Sequence, residues 1–270
     1  MKLDGKLALV TGAASGIGRE TARALAKKGC RLVTVDVDEV GLESLGRELG
    51  DAVALCRRVD VSDAGAMKAL AADVHERESA LDVLVNNAGV GLGGGMLDTP
   101  LEDWDWVLRI NLWGVIHGCH FFVPPMAERG AGHVVNVSSA LGFFATGLTA
   151  GYATSKFAVF GLSESLRAEL APRGIGVSTI CPGIVNTPIV RTGRYRGTDE
   201  ERAREKLTRD YARRGYGPER VARAIVSAIE KDRGVVPVTP EAWGLWILSR
   251  AAPGLAPHLA RLLDRIVPKD

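Results

Sequence analysis

Apolar and polar positions alternate between two patterns along the chain. Short apolar runs, typical of strands covered on both faces, occur at residues 7–11, 31–36, 52–57, 83–86, 133–138, 176–181 and 235–238. Longer segments with apolar residues at helical spacing lie between them, at residues 19–28, 64–78, 101–126, 152–171 and 218–231. This alternation predicts an α/β fold in which helices cover both faces of a parallel sheet. Ligands of such sheets bind at the carboxyl ends of the strands.

The composition is that of an ordinary folded domain. Hydrophobic residues make up 46% of the 270 residues, which is enough for a sizeable core and excludes a disordered protein. The formal net charge of +2 argues against a dedicated nucleic-acid binder. Because no repeat or low-complexity linker interrupts the pattern, we predict one catalytic domain over residues 1–240 and a tail over 241–270.

The cysteines and the uncharged stretches bear on location. Cys30, Cys56, Cys119 and Cys181 are far apart and form no CxxC pair, so we expect buried free thiols in a reducing cytoplasm and no metal site. No signal peptide is visible. Residues 110–127 and 130–155 lack charged side chains, but their polar residues and a proline pair make them poor candidates for membrane spans.

A glycine-rich turn joins the first predicted strand to the first predicted helix. Gly12 permits the tight turn, Gly16 lets the backbone approach a pyrophosphate, and Gly18 allows the helix to pack closely on the sheet. Ser15 and Ile17 lie between these glycines and are expected to contact the same ligand. The free N–H groups at the start of the helix favour phosphate binding, so this turn predicts a dinucleotide site.

Polar residues that follow the next strands extend this site. Asp36 ends the second strand, where a carboxylate accepts hydrogen bonds from ribose hydroxyls and repels a 2′-phosphate. No cation stands at Ser15 or Val37, so NAD is predicted over NADP. Further contacts with the cofactor are expected after the third and fourth strands, at Asp60, Val61, Asn87, Ala88 and Gly89.

A second group of residues carries candidate chemistry. Tyr152 and Lys156 are four residues apart on a predicted helix and therefore share one face. Ser139 ends the preceding strand, so all three are expected at the carboxyl edge of the sheet. A phenol titrates near pH 10, and we expect a nearby ammonium and an oxidised nicotinamide to lower that pKa, which would make tyrosine a general base or acid.

Together these motifs resemble the short-chain dehydrogenase/reductase family of the compact Tyr-x-x-x-Lys type, over roughly residues 5–240. The resemblance implies a seven-stranded Rossmann sheet, reversible hydride transfer between NAD(P) and an alcohol or carbonyl, and a homodimer or homotetramer. It further implies that Tyr152 is the acid/base, that Lys156 lowers the Tyr152 pKa and binds the nicotinamide ribose, and that Ser139 stabilises the reacting oxygen. Asn111 would support a water on a proton path, or be structural. The resemblance also implies cofactor contacts after the sixth strand, at Pro182, Gly183, Val185 and Thr187.

The expected substrate site lies above the nicotinamide. Leu141, Phe143 and Phe144, together with Ser139 and Tyr152, predict a mainly apolar pocket for a hydrophobic secondary alcohol or ketone. The alternative for Phe143 and Phe144 is packing against a flap, residues 189–216. Residues 191–223 hold eleven basic and six acidic residues, which predicts either a solvated helical flap or a binding site for an acidic group.

Two alternatives remain open from the sequence. The tail combines aromatic, apolar and basic residues, so it is expected to pack on its own domain, on a partner subunit, or peripherally on a membrane surface. The competing function is a catalytically silent NAD-sensing or scaffold protein on the same fold. The complete set of Asn111, Ser139, Tyr152 and Lys156 favours the enzyme.

Overall fold

The computed structural model describes residues 1–213 and 215–266. Its strands are β1 (Leu7–Thr11), β2 (Arg31–Asp36), β3 (Val53–Arg58), β4 (Val83–Asn86), β5 (Leu92–Gly93), β6 (Gly132–Val137), β7 (Ile175–Cys181), β8 (Arg194–Tyr195) and β9 (Val235–Pro237). Its helices are α1 (Gly16–Ala26), α2 (Glu39–Leu49), α3 (Ala64–Arg77), α4 (Leu101–Leu108), α5 (Gly114–Arg129), α6 (Ala150–Leu170), α7 (Ile189–Thr192), α8 (Glu200–Arg213), α9 (Pro218–Lys231), α10 (Pro240–Ala251) and α11 (Ala256–Ile266).

Seven strands form one parallel sheet in the order β3-β2-β1-β4-β6-β7-β9. The chain moves outward from β1 in one direction and from β4 in the other, so the strand order reverses between these two neighbours. Such a reversal opens a crevice at the carboxyl ends of the strands. The predicted α/β class and the seven-stranded Rossmann sheet are both confirmed.

The core lies in two layers because side chains alternate across the sheet. On β1, Ala8 and Val10 contact the layer that contains α1, α2 and α9, whereas Leu7 and Leu9 contact the layer of α3, α5 and α6. Every residue of β1 is buried. The near-continuous apolar runs of the sequence are therefore explained by helices on both faces of the sheet.

The structure differs from the sequence-based expectations in several places. The sequence pattern missed α2, whose amino terminus is capped by Asp38. The predicted helix over 101–126 is α4 and α5 joined by a π-helical turn at Arg109–Trp113. Cys56 is an exposed thiol, although the other three cysteines are buried as expected, because β3 is the edge strand of the sheet.

A second, two-stranded parallel sheet pairs β5 with β8, at Leu92 with Arg194 and Gly93 with Tyr195. This pairing attaches the flap to the loop that follows β4. The tail forms α10 and α11 as far as Ile266, and residues 267–270 lie outside the described part of the chain. No helix in the described ranges has both the length and the apolar character that crossing a membrane requires.

Candidate active site

The glycine-rich turn between β1 and α1 has no room for side chains. Gly12 has a φ of +67°, and a Cβ there would lie 2.8 Å from Asn87 Nδ2 and 2.9 Å from Ala88 Cα. A Cβ on Gly18 would overlap the carbonyl oxygen of Gly12. Gly16 also has a positive φ, +52°. Ser15 begins α1 without capping it through its own side chain, so the first N–H groups of the helix face the cleft.

Asp36 lies where the sequence placed it, at the end of β2 beside this turn. Its Oδ2 accepts a hydrogen bond from Ala14 N at 2.9 Å, and its Oδ1 accepts from Val37 N at 2.7 Å and Asp38 N at 3.1 Å. A carboxylate has about four acceptor sites, so capacity for a ligand hydroxyl remains. The sequence argument overlooked a cation near Asp36. The side chain of Arg58 lies beside the next residue, and its Nε donates a hydrogen bond to Val37 O at 3.2 Å.

The turns after β3 and β4 are tied to the protein and still line the cleft. Asp60 Oδ1 accepts from Ser62 N at 2.9 Å, and the carbonyl of Val61 lies 2.8 Å from His117 Nδ1. The following contacts join the next turn to the end of β1: Asn87 N and Ala88 N each donate to Thr11 Oγ1 at 3.0 Å, and Asn87 Nδ2 donates to Thr11 O at 2.9 Å.

The loop after β7 closes the other side of the crevice. Pro182 O accepts a hydrogen bond from Ala140 N at 2.8 Å, which fixes this loop to the one after β6. Gly183 lies so close to Thr239 and Glu241 that a Cβ would collide with both. Val185 and Thr187 are buried in the same segment and line the cleft.

Tyr152 and Lys156 lie in the first turns of α6, and Ser139 lies in the loop after β6. Lys156 is buried, its Nζ donates to Val137 O at 3.1 Å, and it stands 5.7 Å from the centroid of the Tyr152 ring. Ser139 Oγ accepts from Leu141 N at 3.1 Å. Ser138 Oγ donates to Lys156 O at 2.8 Å, whereas Ser139 Oγ has only a longer contact, 3.5 Å, with Pro182 O, so the Ser139 hydroxyl is the more readily available to a ligand.

The titration of this group differs from the sequence-based expectation. Burial raises the pKa of Tyr152 above its ordinary value, proximity to Tyr211 adds to that rise, and a hydrogen bond with Ser139 opposes it. Burial also lowers the pKa of Lys156 to about 8. In the protein alone, the phenol is therefore neutral and suited to donate a proton.

Asn111 lies inside the π-helical turn and is fully buried. Its Oδ1 accepts from Val90 N at 2.8 Å, and its Nδ2 donates to Val90 O at 3.0 Å and to Ser155 Oγ at 3.1 Å. These bonds engage both amide protons, so the side chain supports the loop after β4. Gly89 lies between Asn111 and Lys156. A Cβ on Gly89 would lie 3.1 Å from Asn111 Oδ1 and 3.5 Å from Lys156 Nζ, so Asn111 and the lysine are close to each other.

The substrate end of the cleft contains only part of the predicted aromatic set. Leu141 and Phe144 line the cleft. Phe143 does not line it; its ring packs against Trp246, with centroids 5.2 Å apart, and against Phe160, at 6.1 Å. The expectation that Phe143 binds substrate is corrected, because this ring holds the tail on the domain.

Part of the basic character of the flap is neutralised by acidic partners. Arg194 Nη1 and Arg196 Nε contact the two oxygens of Asp103 at 2.7 and 2.6 Å, and Arg204 contacts Glu200 at 2.7 Å. The guanidinium of Arg194 also stacks 3.9 Å above the Trp106 ring. Burial by itself would raise the pKa of Asp103, but hydrogen bonds from Arg196 and Arg194 outweigh it and hold that pKa below its ordinary value.

Several residues that line the cleft were missed by sequence reasoning. They come from the flap and the tail, and include Tyr195, Tyr211, Leu245, Leu248, Leu259 and Asp264. The tail leucines stood out in the sequence only as apolar residues at helical spacing, a signal that packing on the domain explains equally well. The acidic partner of the flap, Asp103, carried no local signal at all, because it lies about 90 residues away in the chain.

The described residues form one cleft of about 2420 Å³ that runs from Asp36 past Gly12 to Tyr152 and on to the tail. A dinucleotide fits its first part, because the glycine cradle leaves bare backbone beside an open helix amino terminus. In that position Asp36 would meet the adenosine ribose, Asp60 and Val61 the adenine, and Lys156 the nicotinamide ribose.

Comparison with known proteins agrees with this geometry. A curated relative, Probable oxidoreductase EphD of Mycobacterium tuberculosis (strain ATCC 25618 / H37Rv), is 44% identical over 264 residues, which cover 95% of this chain and 45% of EphD. This chain thus spans about half the length of that relative. D-threitol dehydrogenase of Mycolicibacterium smegmatis is 42% identical over 190 residues, 70% of this chain and 73% of that protein.

A crystal structure of a short-chain dehydrogenase/reductase from Burkholderia phymatum in complex with NAD superposes with a TM-score of 0.87 at 32% identity, and covers 95% of this chain and 97% of that one. The family described as short chain dehydrogenase matches residues 6–196. The chain therefore belongs to the short-chain dehydrogenase/reductase family of oxidoreductases, which use a nicotinamide cofactor.

Proposed function

We propose that this protein is an NAD-dependent dehydrogenase/reductase that transfers a hydride between the cofactor and a hydrophobic secondary alcohol or ketone, with Tyr152 as general acid/base. The observation that carries the proposal is the meeting of Tyr152, Ser139 and Lys156 on the wall of the cleft that contains the glycine cradle. A silent NAD-sensing protein could use Lys156 to hold the ribose, but it has no use for the phenol of Tyr152 and the hydroxyl of Ser139 beside that lysine.

Each residue has a distinct role in this chemistry. Tyr152 gives its phenolic proton to the oxygen of a ketone, or takes the proton of an alcohol in the reverse direction. Ser139 hydrogen-bonds the same oxygen and stabilises the charge that develops on it. When bound, the cofactor donates or accepts the hydride, and its oxidised form adds a positive charge that favours the phenolate of Tyr152.

Lys156 supports the tyrosine from the inner side of the cleft. With a pKa of about 8, it is mainly an ammonium at neutral pH, and a cation next to a phenol favours ionisation. We further propose that Asn111 acts by positioning, because its side chain holds the loop at Val90, and the water on the proton path is then bound by other atoms near Lys156.

The preference for NAD over NADP is proposed from Asp36. A 2′-phosphate would bring at least one more negative charge to a carboxylate, and like charges at contact distance repel. Arg58 is the cation that opposes this preference, since its guanidinium reaches the carbonyl of Val37. The ratio of activities with the two cofactors therefore reports the balance between Asp36 and Arg58.

The lining of the cleft supports a substrate class, whereas the relatives are named for different reactions or for none. Leu141, Phe144, Leu148 and Val190 line the part beyond Tyr152. Such walls favour a hydrophobic substrate whose carbonyl or hydroxyl is its main polar group. The polyol named in D-threitol dehydrogenase is a poor match to these walls.

Homodimer or homotetramer formation, and a peripheral contact of the tail with a membrane, are also proposals. Trp113 and Phe157 are 51% and 43% exposed, and aromatic residues are enriched in protein interfaces. On the tail, Ile247 and Leu262 are exposed. Light scattering of the purified protein would give the assembly mass, and sedimentation with anionic vesicles would test the membrane contact.

The central experiment combines a substrate screen with Tyr152→Phe. Purified protein with NAD or NADP is screened against secondary alcohols and ketones by absorbance of the reduced cofactor. The Phe variant should lose at least a hundredfold in kcat while NADH affinity, measured by fluorescence titration, stays within about threefold. Turnover close to the wild-type level in the Phe variant would refute the general acid/base role.

A further inference from the structure

The tail is fixed against the domain at the mouth of the cleft. At the start of α10, Glu241 Oε1 accepts a hydrogen bond from Ile184 N at 2.8 Å. In the middle of α10, the Trp246 ring lies 5.2 Å from the Phe143 ring and 5.7 Å from the Phe160 ring. Arg250 covers the outer side of Trp246 at 4.4 Å. Contacts along the whole helix therefore determine which of its faces meets the cleft.

Beyond Glu241 in its first turn, the face of α10 that lines the cleft is apolar. Leu245 and Leu248, three residues apart and hence neighbours on the helix, line the same cleft as Tyr152 and are half-buried. Leu259 of α11 lines it as well. Leu141 and Leu148 also line this cleft, from the loop after β6. Two sets of leucines thus enclose a part of the cleft that is separate from the glycine cradle.

A hydrogen bond holds α11 against this loop. Asp264 Oδ2 accepts from Gly147 N at 2.9 Å, and a Cβ on Gly147 would lie only 2.8 Å from that oxygen. This bond joins the carboxylate of Asp264 on α11 to the backbone of the loop after β6. It therefore stabilises the leucine-lined end of the cleft.

The opposite side of the cleft differs in chemistry. The flap helix α8 lines it with four charged residues, Arg202, Lys206, Arg209 and Asp210, beside Leu207 and Tyr211. An extended apolar group is disfavoured next to these charges, because burying charged groups against hydrocarbon carries a large desolvation cost. On the tail side the two carboxylates in the lining, Glu241 and Asp264, accept backbone hydrogen bonds, and the leucine side chains lose nothing by contact with hydrocarbon.

We propose that the tail leucines Leu245, Leu248 and Leu259, with the loop after β6, form a binding compartment for the long aliphatic or fused-ring part of a lipophilic substrate. The inference rests on the proposed dehydrogenase function and specifies its substrate class. The reacting carbonyl or hydroxyl lies at Tyr152, and the hydrocarbon extends away from the cofactor between α10, α11 and the loop.

A homologous series of methyl ketones tests the compartment. Reduction from 2-butanone to 2-dodecanone is measured with NADH for the wild type and for Leu245→Asp and Leu248→Asp. In the wild type, kcat/KM should rise roughly threefold per added methylene until the compartment is filled. In both Asp variants this increase with chain length should fall to less than 1.5-fold per methylene, because the added carboxylate must be desolvated.

The matched control is Ile247→Asp on the same helix. Ile247 is 60% exposed and does not line the cleft, so its Asp variant should keep the wild-type dependence on chain length. Leu248→Trp provides a second variant that adds volume without charge. It should move the maximum of the series to shorter ketones.

The outcomes separate the compartment from the function. If the wild type turns over the ketones with no dependence on chain length, or if all variants share its dependence, the compartment is refuted while the dehydrogenase stands. If no ketone or alcohol is turned over, the dehydrogenase proposal fails, and calorimetric binding of 2-dodecanone and 2-butanone with NADH present decides the compartment. Binding at least tenfold tighter for the longer ketone, lost in Leu245→Asp, supports it; equal affinities overturn it.

Discussion

Replacing Asp103 by Asn should destabilise the protein by releasing the flap from α4. Asp103 is 2% exposed and accepts charge-assisted hydrogen bonds from Arg194 and Arg196. The Asn side chain keeps the shape of Asp but removes the charge, and it retains only one oxygen to accept these bonds. The second guanidinium then faces the NH2 group of the Asn amide, which is itself a donor and cannot accept its hydrogen bond.

The magnitude follows from the exposure of the partners. Hydrogen bonds to charged groups contribute about 1.5–3 kcal/mol each, and two of them would set an upper limit near 6 kcal/mol if both arginines stayed buried. The side chains of Arg194 and Arg196 are 39% and 32% exposed, so both recover much of this energy from water. We expect a loss of about 2 kcal/mol, which lowers the unfolding temperature by roughly 4–8 °C.

Differential scanning calorimetry at two pH values measures this effect. Because the pKa of Asp103 in the folded state is below its ordinary value, its stabilising contribution is complete above the unfolded pKa of about 4 and is lost as pH falls through the folded pKa. The gap between wild type and Asp103→Asn should therefore be largest near pH 7 and narrow near pH 3.

Asp105 on the same helix provides the matched control. Its side chain is 61% exposed and pairs with Arg109, which is 63% exposed, so Asp105→Asn should change stability by less than about 0.5 kcal/mol. Equal effects of the two substitutions, or a gap for Asp103→Asn that does not depend on pH, would refute the role of the buried ion pair.

Three further predictions concern the cofactor cradle and the buried lysine. Asp36→Ala combined with Val37→Arg should shift the ratio of NADP to NAD activity toward NADP by at least tenfold; an unchanged ratio would show that Asp36 does not discriminate. Gly18→Ala should weaken NADH binding at least tenfold by fluorescence titration, because its Cβ meets backbone, whereas Gly46→Ala, with open space around it, should not. Lys156→Met should raise the unfolding temperature at pH 7, because the cost of burying an ammonium is removed. The unfolded lysine binds more protons than the folded one between pH 8 and 10.5, so the wild type itself becomes more stable as the pH rises through this interval. The difference in unfolding temperature between variant and wild type should therefore shrink by pH 10; a constant difference would contradict this.

The parts of the structure that the sequence predicted are those with a strong local signal. The seven strands of the large sheet are apolar runs, and the cofactor turn needs glycine where a Cβ meets backbone. Helix α2 was missed because Gly41 and Gly46 lower its helix propensity. The exposure of Cys56 depends on β3 being an edge strand, which follows from topology and not from its own residues.

At the site, sequence reasoning failed where contacts are long-range. Phe143 and Phe144 are adjacent and equally apolar, yet one contacts Trp246 and the other lines the cleft. That choice is made by a helix about 100 residues further along. The pairing of Asp103 with Arg194 is of the same kind. The raised pKa of Tyr152 reflects desolvation of its phenol by the surrounding fold, which a motif does not report.

The pairing of β5 with β8 joins the two ends of the cleft through a short stretch of backbone. Leu92 follows Gly89, the last residue of the turn after β4, by three positions, and its strand pairs directly with the flap at Arg194. Under the proposed function, a nucleotide that contacts this turn would lie three residues from the strand that holds the flap. If nucleotide binding favours the flap position that binds substrate, then by reciprocity substrate binding raises the affinity for the nucleotide by the same factor.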